Sequence, residues 1–173
     1  ITKSDMVLKD LEVLKRINQV KARVSFTITT TDDSLAKVLE PGAPAPSCRL
    51  KAMEALSDCG IETGVVMMPI LPFIEDTPEN ITNIVEASAC HGADYIIPAF
   101  GMSIREGQRE HFYEKLDVHF PGVRQRYEAT YGDRYRCPAQ NHKKLANIFY
   151  GLCELHGLDT SVSSYPPRPE LKQ

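Results

Sequence analysis

A row of hydroxyl side chains lines one face of a predicted strand near the start of the chain. Between Ala22 and Thr29, apolar residues alternate with Ser25, Thr27 and Thr29. Because successive side chains of a strand point to opposite faces, one face is apolar and the other carries hydroxyl groups. Such groups can hydrogen-bond the hydroxyls of a sugar. The pattern favours an open or hollow barrel whose inner wall meets a polar ligand, with a solvent-facing edge strand as the alternative.

Cationic and apolar groups are predicted at the same end of the sheet as these hydroxyls. Lys3 follows a first strand segment and could bind a carboxylate or a phosphate. Arg49 lies in the first turn of a helix, where free backbone amides already favour anions. Met68-Pro69-Ile70 would give an apolar wall for a flat ring. Together these groups suit a ligand with an anionic end, a polyol centre and an aromatic base.

Each of these residues also has a purely structural interpretation. Lys3 could be a surface charge, and Thr29 could be a turn residue. Arg49 could form an ion pair with Glu40 or Glu54. Taken singly, the structural interpretations are the better ones, whereas the combination of the residues favours a ligand site.

A repeated junction organises the chain. Cys59-Gly60-Ile61, His91-Gly92-Ala93 and His156-Gly157-Leu158 each read as the end of a helix, a left-handed glycine and the start of a strand. The first two glycines are separated by about the length of one βα unit. Serial βα units predict a parallel sheet with right-handed crossovers, either doubly wound or barrel-like. In such sheets, ligands bind beyond the carboxyl ends of the strands.

Capping residues and hydrophobic periodicity predict the other elements. Ile1 to Lys3 reads as the end of a strand, and Ser4 is expected to cap a helix directly after it. A tail at Ser163 to Pro169 is expected to be extended and mobile. The remaining expected elements are helices that begin at Asp32 and Asp33, at Ser47 and at Thr77-Pro78, strands at 61–70 and 93–100, a helix at about 105–120, a second that runs to about Thr130, and a last helix opened by Pro138.

Composition limits the class of protein. The chain has 173 residues, a net charge of −3 and 25% charged residues, as is usual for a globular protein. With no apolar stretch long enough to cross a bilayer and no signal peptide, a cytoplasmic location is expected. The acidic balance argues against a nucleic-acid partner. Arginines and tyrosines between 124 and 136 are interpreted as a solvated helix face.

The cysteines and histidines lack the spacing of a metal site. The five cysteines are scattered, and none lies two or three residues from another. They are expected to be free thiols. The five histidines lack the i,i+4 pair with a carboxylate that a metallohydrolase uses. No metal site is therefore expected within this chain.

Several segments in the first part of the chain match one family pattern. They are Thr2-Lys3-Ser4, Val7 to Leu11, Val24 to Thr29, Glu40 to Pro44, Arg49 and Gly64 to Ile70. These segments resemble the radical S-adenosylmethionine (radical SAM) enzymes of the spore photoproduct lyase-like group. The resemblance implies the second half of a partial (β/α)6 TIM-like barrel at residues 1–100. A helical extension at 101–157 and an extended tail at 158–173 are expected to follow.

The resemblance also implies the residues that bind S-adenosylmethionine. Lys3 is expected to contact the carboxylate of the cofactor, and Thr27 and Thr29 are expected to reach its ribose. Thr27 stands where the family tends to have serine and keeps the hydroxyl group. Gly64 and Met67 are expected to lie near the adenine.

Arg49 matches the arginine that follows the family's Glu-Pro-Gly loop, and is included in the expected cofactor site. The C-x3-C-x2-C motif that binds the [4Fe–4S] cluster does not occur in this chain. The motif is expected before Ile1, so the chain is expected to be a C-terminal fragment that is inactive alone. The complete protein would reductively cleave S-adenosylmethionine at the cluster, and a 5′-deoxyadenosyl radical would abstract hydrogen from an unknown substrate.

The alternative is a stand-alone α/β domain without radical chemistry, either flavodoxin-like or phosphate-binding. It explains the βα repeat and the missing cluster motif, but it does not explain a chain that begins within a strand. Under the barrel interpretation, exposed strand edges should favour homo-oligomers or disorder near Ile1.

Overall fold

The computed structural model describes residues 1–162, in which a mixed α/β fold contains two separate sheets. The expected tail at Ser163 to Pro169 lies outside the described residues. The helices are a 3-10 helix at Asp5–Asp10, α1 (Leu11–Ile17), α2 (Asp33–Leu39), α3 (Pro46–Ser57), α4 (Pro78–Cys90), α5 (Glu106–His119), α6 (Val123–Tyr131) and α7 (His142–His156). The strands are β1 (Arg23–Thr27), β2 (Glu62–Met67), β3 (Tyr95–Pro98), β4 (Gly101–Ser103) and β5 (Arg136–Pro138).

The larger sheet is parallel, and its strands follow chain order. β1 pairs with β2, and β2 pairs with β3. Isolated parallel bridges extend this order on both sides, one between Thr2 and β1 and one between β3 and Asp159. The Thr27 amide donates to the Thr2 carbonyl at 2.9 Å, and the Ile96 amide donates to the Asp159 carbonyl at 2.8 Å. The predicted parallel sheet is confirmed, and Thr2 occupies a strand position beside it.

One face of this sheet carries the main hydrophobic core. Phe26 of β1, Val65 of β2 and Ile96 of β3 are in register and fully buried. Helices α3, α4 and α7 contribute to the same cluster, through Leu50, Met53, Leu56, Ile81, Ile84, Val85, Leu145, Phe149 and Cys153. Full burial of one such side chain contributes about 1.5–3 kcal/mol. This one-sided helix layer is therefore the main source of stability.

The opposite face of the sheet carries the hydroxyl row. Ser25, Gly64 and Tyr95 are in register on this face. The hydroxyl groups of Ser25 and Tyr95 lie 2.6 Å apart. All three hydroxyl residues of the row are at most 8% exposed, and β1 is paired on both sides. The alternative of a solvent-facing edge strand therefore does not describe β1.

Local signals predicted most of the helix boundaries. The side chains of Ser4, Asp32 and Thr77 each accept hydrogen bonds from backbone amides of the first turn. The three junction glycines have φ between 68° and 75°, the left-handed conformation that ends a helix. Within residues 1–162, no helix combines the length and the apolar character that crossing a bilayer requires.

Two predicted helix starts are wrong. Pro138 ends β5, which pairs with β4 in an antiparallel ladder, and α7 begins only at His142. A three-residue strand is too short to show an alternating pattern, so the sequence did not reveal it. Helix α3 begins at Pro46, and the Ser47 hydroxyl donates to the Asp33 carboxylate at 2.6 Å instead of capping the helix.

A second core beside β4 and β5 is rich in aromatic residues. Tyr127 and Tyr131 of α6 are 0% and 3% exposed, and Phe73 packs edge-on against the Tyr127 ring with centroids 5.3 Å apart. The interpretation of this arginine- and tyrosine-rich stretch as a solvated face is thus wrong for these two tyrosines. Arg124 does remain at the surface, where it forms ion pairs with Glu110, Asp117 and Glu128.

Replacement of Gly64 by alanine is expected to destabilise the parallel sheet. A Cβ atom at Gly64 would lie 2.4 Å from ring atoms of Tyr95, which is 1% exposed and held by its contact with Ser25. We expect Gly64→Ala to lower the free energy of unfolding by about 2 kcal/mol, measured by urea denaturation.

Gly151→Ala in α7 is the matched control, because a Cβ atom there meets nothing within 4 Å. It should raise the free energy of unfolding by about 0.5–1 kcal/mol. Similar effects of the two substitutions would contradict the close packing of Tyr95 on Gly64.

Candidate functional site

The carboxylate of Glu40 joins two cations at the carboxyl end of β1. Its Oε1 accepts a hydrogen bond from Lys3 Nζ at 2.5 Å, and its Oε2 accepts one from Arg49 Nη2 at 2.6 Å. Burial alone would raise the pKa of Glu40, but the hydrogen bonds from Lys3 and Arg49 outweigh burial and lower it. An ionised Glu40 therefore holds the Lys3 ammonium group, whose side chain is 45% exposed, at this edge of the sheet.

Arg49 lies behind this pair in the protein interior. The residue is 1% exposed, its Nε donates to the Pro44 carbonyl at 2.8 Å, and its Nη1 donates to the Thr27 carbonyl at 2.8 Å. Protein groups thus engage all three guanidinium nitrogens, and the ion pair with Glu40 anticipated by the structural interpretation is present. Arg49 positions Glu40 and the end of β1.

Glu75 is a buried carboxyl group that the sequence analysis did not find. It is 1% exposed, and its Oε2 accepts a hydrogen bond from the Leu71 amide at 2.9 Å. Its Oε1 has no hydrogen-bond partner among residues 1–162. Burial raises the pKa of Glu75 to about 7, although the Thr29 hydroxyl and the Leu71 amide act in the opposite direction. Near neutral pH this group can therefore either donate or accept a hydrogen bond.

A tight turn after β2 brings Glu75 to the end of β1. The Glu75 amide donates to the Leu71 carbonyl at 2.9 Å, and Phe73 within the turn has a φ of 67°. The Asn80 side chain donates to the carbonyls of Thr29 at 2.8 Å and Glu75 at 2.9 Å, which ties the turn to β1. Glutamate is common just before a helix, so the sequence gives no sign that Glu75 is buried. Its burial results from the conformation of the turn.

The two residues expected near an adenine do not share a face of the sheet. Gly64 faces Tyr95 on the same side as the hydroxyl row, because Ser25 is its partner in β1. Met67 lies three residues further along β2, on the opposite face, and its side chain is fully buried in the main core. The structure therefore places Gly64 on the hydroxyl face and the Met67 side chain in the core on the other face of the sheet.

The predicted apolar wall borders a cavity at the ends of β2 and β3. This cavity has a volume of about 570 Å³, and its lining includes Met68, Pro69 and Phe100. Arg136 adds a cation to the lining. Ile70, the third residue of the predicted wall, is fully buried and lies in the core. The wall thus consists of two of its three predicted residues.

The arrangement at the end of β1 suits a ligand with an anionic group and several hydroxyls. Lys3 offers an ammonium group, Thr27 and Thr29 offer hydroxyls, and the free Oε1 of Glu75 offers an acceptor. Because all are at the carboxyl end of the parallel sheet, they occupy the region where such sheets bind ligands. These four groups belong to two short segments and a turn that Glu40, Arg49 and Asn80 hold together.

The described residues contain no candidate metal centre. Within residues 1–162, no three side chains of histidine, cysteine, aspartate or glutamate come together in a way that could hold a metal ion. The five cysteines are free thiols, as expected, and two of them are buried. Burial raises the pKa of the Cys153 thiol to about 11, so this thiol stays protonated.

Comparisons with known proteins identify relatives whose names state no activity. The chain is 33% identical over 120 residues to an uncharacterized protein of Acidianus two-tailed virus, covering 66% of this chain and 38% of that protein. It is 27% identical over 171 residues to an uncharacterized protein of Mycobacterium tuberculosis, covering 98% of this chain and 50% of that protein. An uncharacterized protein of Methanocaldococcus jannaschii is 33% identical over 76 residues, covering 44% of this chain and 29% of that protein.

The chain spans half or less of the length of these relatives. No family model matches the sequence, and no solved structure matches it. The similarity to the Mycobacterium protein extends over nearly the whole chain, so the alignment includes the sequence of the βα segment and that of the helices after it.

Arg49→Met is expected to destabilise the protein strongly. Loss of the guanidinium group removes the buried partner of Glu40 and leaves the carbonyls of Thr27 and Pro44 without their donor. We expect the free energy of unfolding to fall by about 3–5 kcal/mol in urea denaturation. Arg16→Met, at an exposed position of α1, should change it by less than about 0.5 kcal/mol. A small effect at Arg49 would show that Glu40 does not depend on it.

Glu75 is expected to make stability fall as pH rises. Its pKa is raised in the folded state, so the folded protein binds the proton more tightly, and this contribution is lost between about pH 4.5 and about pH 7. A shift of this size corresponds to roughly 3 kcal/mol. Glu75→Gln should remove most of this dependence and be more stable than the parent protein at pH 8, as measured by urea denaturation at pH 5 and pH 8. Parallel stability curves for the two proteins would refute the assignment.

Proposed function

We propose that this chain is part of a radical SAM enzyme of the spore photoproduct lyase-like group, in which it forms half of a partial (β/α)6 barrel. The proposal rests on the family resemblance of the first 70 residues together with the geometry of the sheet.

The observation that carries the barrel interpretation is the winding of the sheet. Thr2, the three strands and Asp159 follow one another in chain order and in parallel. Helices α3, α4 and α7 cover a single face. A doubly wound sheet reverses its strand order and carries helices on both faces, whereas a barrel keeps one order and leaves its inner face for ligands and side-chain layers. The polar face of β1 would be that inner face.

The residues at the end of β1 suit S-adenosylmethionine. Lys3 would bind the carboxylate of its methionine part, with Glu40 fixing the ammonium group from behind. Thr27 and Thr29 would hydrogen-bond the ribose hydroxyls. The buried Oε1 of Glu75, which lacks a hydrogen-bond partner among residues 1–162, would accept a hydrogen bond from the cofactor when this carboxyl group is ionised. The Tyr95 ring fills the space above Gly64 on the neighbouring strand, so Gly64 adds no contact to this fit.

Catalysis would need a [4Fe–4S] cluster held by other residues of the whole protein. When bound to a reduced cluster, S-adenosylmethionine supplies a 5′-deoxyadenosyl radical for hydrogen abstraction. The contribution of the described residues is to bind and orient. Lys3 would fix one end of the cofactor, and the threonines would fix its centre. The buried Arg49 would hold the end of β1 and Glu40, the partner of Lys3, in their relative positions.

Binding of S-adenosylmethionine tests this proposal directly. In calorimetry on the whole protein that contains this chain, Thr27→Val and Lys3→Ala should each weaken binding by about tenfold, because each removes one polar contact without disturbing the core. Lys9→Ala, at an exposed position of the 3-10 helix, should leave affinity unchanged. Absence of binding, or binding unaffected by both substitutions, would overturn the proposal.

A chemical readout separates the radical enzyme from a simple binding domain. After anaerobic reconstitution with iron and sulfide and reduction with dithionite, the whole protein should convert S-adenosylmethionine to 5′-deoxyadenosine. The Thr27→Val variant should do so more slowly at subsaturating cofactor. Binding without cleavage would instead favour the stand-alone binding domain.

A further inference from the structure

A separate cavity lies between α2 and α5. Its volume is about 680 Å³, which is within the range of small-molecule pockets, roughly 300–1,000 Å³. Leu39 at the end of α2, Ile104 after β4, and Phe112 and Leu116 of α5 give it an apolar lining. These side chains are buried or half-buried, so the floor of the cavity consists of aliphatic and aromatic surface. The groups proposed above for S-adenosylmethionine are absent from its lining.

The rim of this cavity is basic. Lys37 of α2 and His111, Lys115 and His119 of α5 line it, and all four are exposed. Among the described residues that line the cavity, none is an aspartate or a glutamate. Within residues 1–162, neither Lys37 nor Lys115 forms an ion pair. The cavity thus combines an apolar interior with two lysines that lack a protein carboxylate.

Helix α5 separates its charges by face. Its basic residues at the cavity recur every four positions and so share one side of the helix. Its acidic residues, Glu106, Glu110, Glu114 and Asp117, do not line the cavity. Arg124 of α6 pairs with Glu110 and Asp117 on the other side. The residues four positions before and after Lys115 are histidines, so this lysine has no i,i+4 carboxylate, and two of the four acidic residues of the helix pair with Arg124 instead.

We propose that this cavity binds a small organic anion with an apolar body, whose carboxylate or phosphate group is held by Lys37 and Lys115. The apolar floor would bury the body of the ligand, and the uncompensated lysines would bind its charged end. Val38 is 39% exposed at the same cavity and would be covered by the ligand. The inference does not depend on radical chemistry, because none of its residues belongs to the proposed cofactor site.

Ligands that differ only in their charged end provide the first test. Calorimetry would compare decanoate, decyl phosphate and decyltrimethylammonium, each below its micellar concentration, with the full chain. Saturable binding of either anion at least about tenfold tighter than that of the cation is expected. Tighter binding of decyl phosphate than of decanoate would identify phosphate as the preferred end group, and the reverse would identify carboxylate. Equal binding of all three, or no saturable binding, would overturn the proposal.

Two matched pairs of variants localise the site. The double variant Lys37→Ala/Lys115→Ala should weaken binding of the better anion by about tenfold or more, whereas Lys143→Ala/Lys144→Ala, which removes two exposed lysines of α7, should not. Val38→Asp should weaken anion binding more than Val38→Asn, since the two side chains differ mainly in charge. Equal losses within either pair would overturn the assignment of this cavity.

Discussion

The carboxylate of Glu40 holds together the carboxyl end of the parallel sheet. It accepts hydrogen bonds from Lys3, next to the strand position of Thr2, and from Arg49 of α3. Arg49 in turn binds the carbonyl of Thr27, the last residue of β1. Three segments far apart in sequence are therefore fixed by one ionised group. Arg49 is buried, whereas the Lys3 side chain is 45% exposed. The network therefore stabilises the fold through Arg49 and presents a cation to solvent through Lys3.

Features that depend on local chemistry could be predicted from the sequence, and features that depend on tertiary packing could not. The caps at Ser4, Asp32 and Thr77 and the junction glycines follow from hydrogen bonding and backbone conformation within a few residues. The burial of Glu75 could not be predicted, because it depends on the conformation of the turn after β2 and on the hydrogen bond from Asn80 that anchors this turn. Strand β5 likewise exists because β4 offers it a partner, and its own three residues carry no pattern.

The two faces of the sheet explain why β1 alternates although it is a central strand. Its apolar side chains meet the helix layer, while its hydroxyls lie on the opposite face of the sheet. Ser25 is satisfied by Tyr95, and this contact is possible only because Gly64 lies between them without a side chain. Nearer the carboxyl end, Thr29 meets the partly unsatisfied Glu75. The polar face of β1 thus changes along the strand. Ser25 is hydrogen-bonded within the protein, whereas Thr29 lies beside Glu75, whose Oε1 has no partner among residues 1–162.

The end of α2 and the loop after it connect this polar edge to the cavity beside α5. Leu39 and Pro41 line the cavity, and Glu40 between them points its carboxylate to Lys3 and Arg49. A residue anchored by two ion pairs cannot move freely, so the wall formed by its neighbours is held in place by the same network that fixes the end of β1. A ligand in the cavity would therefore meet a rigid wall on the α2 side. The polar groups at the end of β1 and the cavity between α2 and α5 differ in chemistry, but Glu40 and its direct neighbours in sequence contribute to both.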